Sequence, residues 1–251
     1  MNTLFDLSGT VAIVTGASAG LGQGMSLGLA QAGADIVLVD RNELAETKKL
    51  VESLGRRAVA LQVDLKSIDV IPSIIETTMK EFGKIDILVN NAGIIRRTPA
   101  AEYSVQDWDD VMNINIRTIF FLSQAVGKEM LKRKRGKIIN VASLLSFQGG
   151  VTVPAYTASK SAVAGLTKAL ANEWAQHGVN VNAIAPGYMA TKNTENLRND
   201  PVRYQAISDR IPAGRWGIPE DLQGTVVFLA SKASDYVHGH VLVVDGGWMA
   251  R

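Results

Sequence analysis

Short runs of β-branched and other apolar residues alternate with longer amphipathic stretches along the whole chain. The runs are nearly continuous, as expected of strands that are covered on both faces of a parallel sheet. In order they are TVAIVT, DIVLVD, RAVALQV, DILVN, KIINVAS, VNVNAIAP and HVLVVDGG. Helical patterns such as AGLGQGMSLGLAQAGA and ELAETKKLVESLGR lie between them. This alternation predicts βαβ units that form one doubly wound α/β sheet with helices on both faces.

The domain organisation follows from the evenness of this pattern. No repeat, low-complexity linker or composition break divides the chain, so we expect one domain over residues 1–251. The irregular segment 187–221 is rich in polar residues, Gly and Pro. It follows the sixth strand, at the sheet edge where doubly wound folds bind ligands. We predict a short helical lid there.

Composition excludes several functional classes. Twenty-six basic and 24 acidic residues leave a net charge of +2, too small to indicate a nucleic-acid or membrane partner. The basic run KRKRG at 132–136 is typical of a solvated helix end. The chain has no cysteine, and its three histidines lack ligand spacing, so we expect no metal.

The distribution of apolar residues also bears on the cellular location of the protein. The N-terminal MNTLFDLSGT lacks the apolar core of a secretion signal. No run of about 18 apolar residues occurs to span a membrane. We therefore predict a soluble, cytoplasmic protein.

A glycine-rich turn follows the first strand directly and opens a helix, in TGASAGLGQG. Glycines allow a tight turn and close backbone approach, and a helix N-terminus offers free N–H groups to a pyrophosphate. An acidic residue at the end of the second strand strengthens this interpretation. We predict that the cofactor contacts of this turn are Gly16, Ser18, Gly20, Leu21 and Gly22.

The acidic residue at the end of the second strand is Asp40. A carboxylate there accepts hydrogen bonds from ribose hydroxyls and repels a 2′-phosphate, which favours NAD. Arg41 beside it could pair with that phosphate, which leaves NADP as the weaker alternative.

The candidate catalytic side chains lie on later strands and helices. Ser143 follows the fifth strand, and Tyr156 and Lys160 lie four residues apart, on one helix face. Plain packing would explain that pair, but so would proton transfer, because a neighbouring ammonium favours phenolate and moves the tyrosine towards a working pKa. Ser143 can donate to a substrate oxygen. Asn115 is either a satisfied core amide or the holder of a water beside Lys160.

Together these motifs resemble the short-chain dehydrogenase/reductase family over the whole chain. The motifs are TGASAGLG, Asp40, VDL with Asp64, NNAG, Asn115, Ser143, Tyr156-x-x-x-Lys160 and the Pro186-Gly187 pair. The resemblance implies a single Rossmann-type domain with a seven-stranded sheet, NAD(P)-dependent oxidoreduction and an Asn-Ser-Tyr-Lys tetrad. It also implies further cofactor contacts, at Asp64, Leu65, Asn91, Tyr156, Lys160, Pro186, Gly187, Met189 and Thr191.

The stretches NNAGIIRR, SLLSFQGG and RIPAGRWG are similar to sugar-acid dehydrogenases of this family. This likeness implies that a secondary hydroxyl of a six-carbon sugar acid is the reacting group. Arg96 or Arg97 could pair with the substrate carboxylate, and either could instead be a solvated loop residue. We take Arg96, Gln148, Ser143 and Tyr156 as the substrate contacts.

Other functions remain open at this level. Another sugar-acid or polyol dehydrogenase, or a 3-oxoacyl reductase, would share the fold, and so would an NAD-binding sensor. The complete tetrad argues against a catalytically silent sensor. Family relatives are commonly tetramers, and the apolar C-terminal VLVVDGGWMAR offers surface to bury, so we expect a homotetramer.

Overall fold

The computed structural model describes residues 3–251, and within this range seven strands form one all-parallel sheet in the order β3-β2-β1-β4-β5-β6-β7. The strands are β1 Val11–Thr15, β2 Asp35–Asp40, β3 Ala58–Gln62, β4 Ile87–Asn90, β5 Gly136–Val141, β6 Val179–Pro186 and β7 Val241–Val244. The strand order reverses between β1 and β4, which opens a crevice at their carboxyl ends. The doubly wound seven-stranded sheet predicted above is confirmed.

Helices cover both faces of this sheet. They are α1 Gly20–Gln31, α2 Ala45–Ser53, α3 Ile71–Phe82, α4 Val105–Met112, α5 Thr118–Arg133, α6 Pro154–Trp174, α7 Glu195–Arg198, α8 Pro201–Arg210 and α9 Gln223–Ala230. Met25 of α1 and Val226 of α9 pack on one face. Val126 of α5 and Leu170 of α6 pack on the other.

The two covered faces explain why the strand sequences are apolar without alternation. Successive strand side chains point to opposite faces of a sheet. In β1, Ala12 and Val14 therefore enter the first core, and Val11 and Ile13 enter the second. All five residues of β1 are buried.

The segment 187–221 contains α7 and α8, as the prediction of a helical segment requires. Ile207 of α8 packs in a small core with Leu144 and Trp248. Leu144 follows Ser143 directly, so this segment lies against the loop that carries the predicted serine.

The remaining organisational predictions are not decided by the fold. Among residues 3–251, no helix is both long enough and apolar enough to cross a bilayer. The homotetramer and the cytoplasmic location stay predictions.

The contact between α1 and α9 yields a stability prediction. A Cβ added at Gly28 would lie 2.8 Å from Gln223 Cβ and 3.0 Å from Gln223 Cα, so Gly28→Ala must push the two helices apart. We expect a loss of about 1–3 kcal/mol in the free energy of unfolding, typical of overpacking.

Gly224→Ala is the matched control, because nothing lies within 4 Å of its added Cβ. This change should be neutral or stabilising by up to about 1 kcal/mol, since alanine favours helix. Urea denaturation of both variants measures the difference. Equal stabilities for the two variants would contradict the close packing of α1 on α9.

Candidate active site

The glycine turn after β1 is shaped by backbone that only glycine adopts easily. Gly16 and Gly20 have φ angles of 67° and 58°, in the left-handed region. A Cβ at Gly22 would lie 2.0 Å from the Gly16 carbonyl oxygen. Helix α1 starts at Gly20 with no capping side chain and no acidic residue in its first turn. The turn therefore presents free N–H groups and a partial positive charge, which fit a pyrophosphate.

Asn91 holds this turn from the neighbouring strand. Its Nδ2 donates to Thr15 O at 2.9 Å and to Gly16 O at 3.1 Å. The Thr15 hydroxyl in turn accepts from the backbone N–H groups of Asn91 and Ala92, both at 3.0 Å. These bonds join the carboxyl ends of β1 and β4.

Asp40 lies beside the same turn, where its carboxylate has three donors. Ser18 donates to Asp40 Oδ2 from its backbone N–H at 3.1 Å and from its hydroxyl at 2.8 Å. Asn42 N donates to Oδ1 at 3.0 Å. Arg41 is exposed next to it. The carboxylate is thus fixed at the end of β2, where the sequence argument requires it.

Asp64 and Leu65, two of the predicted cofactor contacts, lie one strand further out, after β3. Asp64 Oδ1 accepts from Lys66 N at 2.9 Å, which orders the loop after β3. Leu65 is buried, and its carbonyl accepts from the Thr118 hydroxyl at 2.8 Å. This hydrogen bond ties the loop to the start of α5.

Ser143 and Tyr156 come together at the carboxyl edge. Ser143 follows β5, Tyr156 lies in the first turn of α6, and Ser143 is close enough to act on the pKa of the phenol. Burial raises the pKa of Tyr156 above its usual value, while Ser143 and the positive charge of Arg97 act to lower it. The two hydroxyls are therefore the candidate reactive groups of the crevice.

Lys160 lies one turn along α6, only 3% exposed. Its Nζ donates to Val141 O at 2.7 Å and lies 5.6 Å from the centroid of the Tyr156 ring. Burial lowers the pKa of Lys160 to about 8. The contributions that oppose the raised pKa of Tyr156 come from Ser143 and Arg97. A lowering of that pKa by Lys160 stays a prediction.

Asn115 lies in a π-helical turn, Asn113–Arg117, that joins α4 to α5. Its side chain accepts from Ile94 N and donates to Ile94 O, each at 2.9 Å, and Nδ2 also reaches Ser159 Oγ at 3.1 Å. This arrangement satisfies the buried amide and clamps the loop after β4 to α6. A wide π turn in a helix often marks a functional position. Whether Asn115 also holds a water beside Lys160 stays a prediction.

The two arginines after β4 have different surroundings. Arg96 Nε lies 3.3 Å from Asp107 Oδ1, and its Nη2 lies 3.8 Å from Asp110 Oδ2, so α4 engages its guanidinium. Arg97 is exposed and close enough to Tyr156 to act on its pKa. Of the two arginines, Arg97 is the one whose positive charge acts on the Tyr156 hydroxyl.

A strained residue joins the two loops that flank Tyr156. Thr152 has a φ of 63°, which is rare for a β-branched residue. Its carbonyl accepts from Thr98 N at 2.9 Å, next to Arg97. Strain of this kind persists where surrounding contacts enforce it, often at functional sites.

The segment after β6 reaches the glycine turn. Pro186 ends β6, Gly187 N donates to Val244 O at 2.9 Å, and Met189 forms a bridge to Gly217. The side chain of Thr191 lies 3.6 Å from a Cβ built on Gly20.

Gln148 lies in the loop after Ser143. It meets Trp248 through a long 3.5 Å contact from indole Nε1 to its Oε1. This weak contact leaves the amide available to a ligand.

Sequence reasoning missed Ser159, Gly93 and Thr152. Ser159 precedes Lys160 and is fully buried, and a Cβ at Gly93 would lie 3.7 Å from Lys160 Nζ. The glycine of NNAG was a usable signal for such close approach. Nothing local to Thr152 indicates a positive φ.

Comparison with known proteins agrees with this geometry. A family model described as Enoyl-(Acyl carrier protein) reductase matches residues 16–249. A relative from Escherichia coli (strain K12), named 2-dehydro-3-deoxy-D-gluconate 5-dehydrogenase, is 61% identical over 248 residues and covers 98% of each chain. One of the same name from Dickeya dadantii (strain 3937) is 60% identical over 252 residues, covering 100% of this chain and 99% of the relative.

Solved structures are also similar to this chain. A putative 2-deoxy-D-gluconate 3-dehydrogenase from Agrobacterium tumefaciens with bound NADP has a TM-score of 0.93 at 54% identity, covering 100% of both chains. A gluconate 5-dehydrogenase from Burkholderia cenocepacia J2315, in complex with NADP and tartrate, has a TM-score of 0.95 at 39% identity, covering 99% of this chain and 98% of the other. Since the family model, the relatives and the Ser-Tyr-Lys geometry agree, this chain belongs to the short-chain dehydrogenase/reductase family.

Proposed function

We propose that the protein is an NAD-dependent dehydrogenase of a six-carbon sugar acid, the activity for which its 2-dehydro-3-deoxy-D-gluconate 5-dehydrogenase relatives are named. The proximity of Ser143 to Tyr156, beside buried Lys160, carries this proposal. It places a hydroxyl acid-base pair at the carboxyl edge, next to a turn shaped for a dinucleotide.

The residues present fit a nicotinamide dinucleotide. The left-handed glycines and the uncapped start of α1 fit its pyrophosphate, and Asp40 fits the adenosine ribose. When bound, the nicotinamide accepts or delivers the hydride. Thr191 and the segment after Pro186 lie beside the same turn and would hold its carboxamide end.

As the phenolate, Tyr156 accepts the hydroxyl proton when an alcohol is oxidised, and as the phenol it returns that proton when a ketone is reduced. When substrate binds, the Ser143 hydroxyl donates to the substrate oxygen and stabilises the charge that develops there. Lys160, with a pKa of about 8, can lose or regain a proton near neutral pH. Its ammonium holds a positive charge behind the phenol ring.

The loop after β4 would bind the carboxylate of the substrate. Arg97 has no acidic partner among residues 3–251, whereas Arg96 lies against Asp107 and Asp110. A guanidinium binds a carboxylate through two parallel hydrogen bonds. Arg97 is therefore the better candidate for the substrate carboxylate, and tartrate bound to the Burkholderia relative is a related acid.

The NAD preference rests on Asp40 alone. Its carboxylate is already oriented by Ser18 and Asn42, and its negative charge opposes a 2′-phosphate. Arg41 acts in the opposite direction, and two structural relatives contain NADP.

The first test removes the phenolic hydroxyl. Tyr156→Phe should lower kcat for sugar-acid oxidation by about 10²–10⁴-fold, the usual contribution of general acid-base catalysis, and leave NADH binding unchanged. Steady-state assays and NADH fluorescence titration measure the two effects. Fully exposed Tyr236→Phe is the control. Full turnover in the Tyr156 variant would refute the proposed function.

The second test separates the two arginines. Arg97→Gln should raise KM for the acid about tenfold or more, because a charge-assisted pair contributes about 1.5–3 kcal/mol. The matched Arg96→Gln should leave KM nearly unchanged and affect the contacts with α4 instead. Both are measured with the acid and with an uncharged polyol. A KM effect confined to Arg96→Gln would assign the carboxylate to that residue.

The third test concerns the cofactor. Wild-type kcat/KM should be larger with NAD than with NADP, and Asp40→Ser should shift the ratio towards NADP about tenfold or more through lost hydrogen bonds and repulsion. Arg41→Ala should lower activity with NADP only. A wild-type enzyme that works better with NADP would overturn the NAD preference and leave the dehydrogenase assignment intact.

A further inference from the structure

A cavity lies at the amino edge of the sheet, opposite the crevice that holds the candidate active site. It has a volume of about 440 Å³, within the roughly 300–1,000 Å³ range of small-molecule sites. Residues at the amino ends of β1, β4, β5 and β6 line it, including Thr10, Asp86, Lys137 and Asn180. We call it the amino-edge cavity. Since β5 has six residues at about 3.3 Å each, roughly 20 Å of strand separates it from Ser143.

The acidic groups of this cavity are already paired within the protein. Asp86 accepts from Val11 N at 3.0 Å and forms an ion pair with Arg133 at 2.5 Å. Asp235 is bonded to Lys137 Nζ at 2.7 Å. Asp6 accepts from Ser8 N at 2.8 Å. A cation bound in the cavity would have to displace these partners.

Two basic residues of the rim are not paired in this way. Lys134 and Arg135 both line the cavity, and among residues 3–251 neither has an acidic group within ion-pair distance. Lys232 is a third cation there, and it acts electrostatically on Asp6.

The chain turns so that both residues reach the rim. Helix α5 ends at Arg133, Lys134 adopts a left-handed φ of 50°, and Arg135 leads into β5. The carboxyl end of α5 carries a partial negative charge of about half an elementary charge. This is less than the two positive charges of Lys134 and Arg135, so the rim keeps an excess of positive charge.

We propose that the amino-edge cavity binds a small multivalent anion, of the phosphate-ester or polycarboxylate class, through Lys134 and Arg135. Both classes present oxygens that a guanidinium and an ammonium bind by charge-assisted hydrogen bonds. This site shares no residue with the proposed hydride-transfer site and is independent of it.

Titration calorimetry on the full chain tests the proposal, with inorganic pyrophosphate and citrate as separate probes at constant ionic strength. Saturating NADH is present throughout, because pyrophosphate could otherwise bind the glycine turn. We expect one of the probes to bind with a Kd of about 1 mM or tighter. Tighter pyrophosphate binding indicates a phosphate ester, and tighter citrate binding indicates a polycarboxylate.

The decisive variant is Lys134→Asn with Arg135→Gln, in which asparagine tolerates the left-handed backbone. It should weaken binding about tenfold or more, as expected when two charge-assisted contacts are lost. Lys128→Gln with Lys132→Gln is the matched control. This control also removes two positive charges. Its two lysines lie in α5, and neither lines the cavity.

The control should bind the probe as the wild type does, and both double variants should keep their NADH affinity and turnover. Absence of binding by either probe up to about 10 mM would overturn the proposal. So would an equal loss of affinity in the two double variants, because that result indicates attraction by overall charge rather than a site.

Discussion

The arrangement of the active site depends on the burial of one ammonium group. Lys160 is almost fully enclosed, and its ammonium donates a hydrogen bond to a backbone carbonyl, Val141 O, not to a carboxylate. Removing a charge from water without an ionic partner is costly, and the cost appears as a pKa of about 8. A lysine poised in this way can exchange its proton near neutral pH. A buried ion pair in the same place would hold that proton firmly.

The surrounding fold accommodates that group by keeping α6 at a set distance from the sheet. A buried chain of polar side chains spans the gap. Asn90 Nδ2 donates to Asn140 Oδ1 and Asn140 Nδ2 donates to the Thr167 hydroxyl of α6, both at 2.9 Å. Because each unpaired amide in a core would be costly, the network favours one position of the helix. A Cβ at Gly93 would lie 3.2 Å from Asn115 Oδ1, so the glycine leaves room for that amide.

Backbone strain at the site has a related origin. Thr152 holds a left-handed conformation just before α6, and its carbonyl receives Thr98 N from the loop that carries Arg97. Such a conformation costs of order 1–3 kcal/mol and must be offset by neighbouring contacts. The Thr152–Thr98 hydrogen bond links the loop that carries Arg97 directly to the loop beside Tyr156. The two loops that flank the reactive hydroxyl are therefore positioned together.

The sequence by itself determined the seven strands, the glycine turn, Asp40 and the order in which the tetrad residues arrive at one sheet edge. Those features follow from short-range patterns, since strand periodicity, glycine conformation and helix spacing depend on residues close together in the chain. Tertiary structure alone decided that Arg96 meets Asp107 while Arg97 has no acidic partner within residues 3–251. It also decided that Lys160 bonds to Val141 and that Asn115 lies in a π turn. It also created the amino-edge cavity beside a basic run that looked like an ordinary helix end. These outcomes depend on distances between residues far apart in sequence, which become defined only when the sheet and its helices are packed.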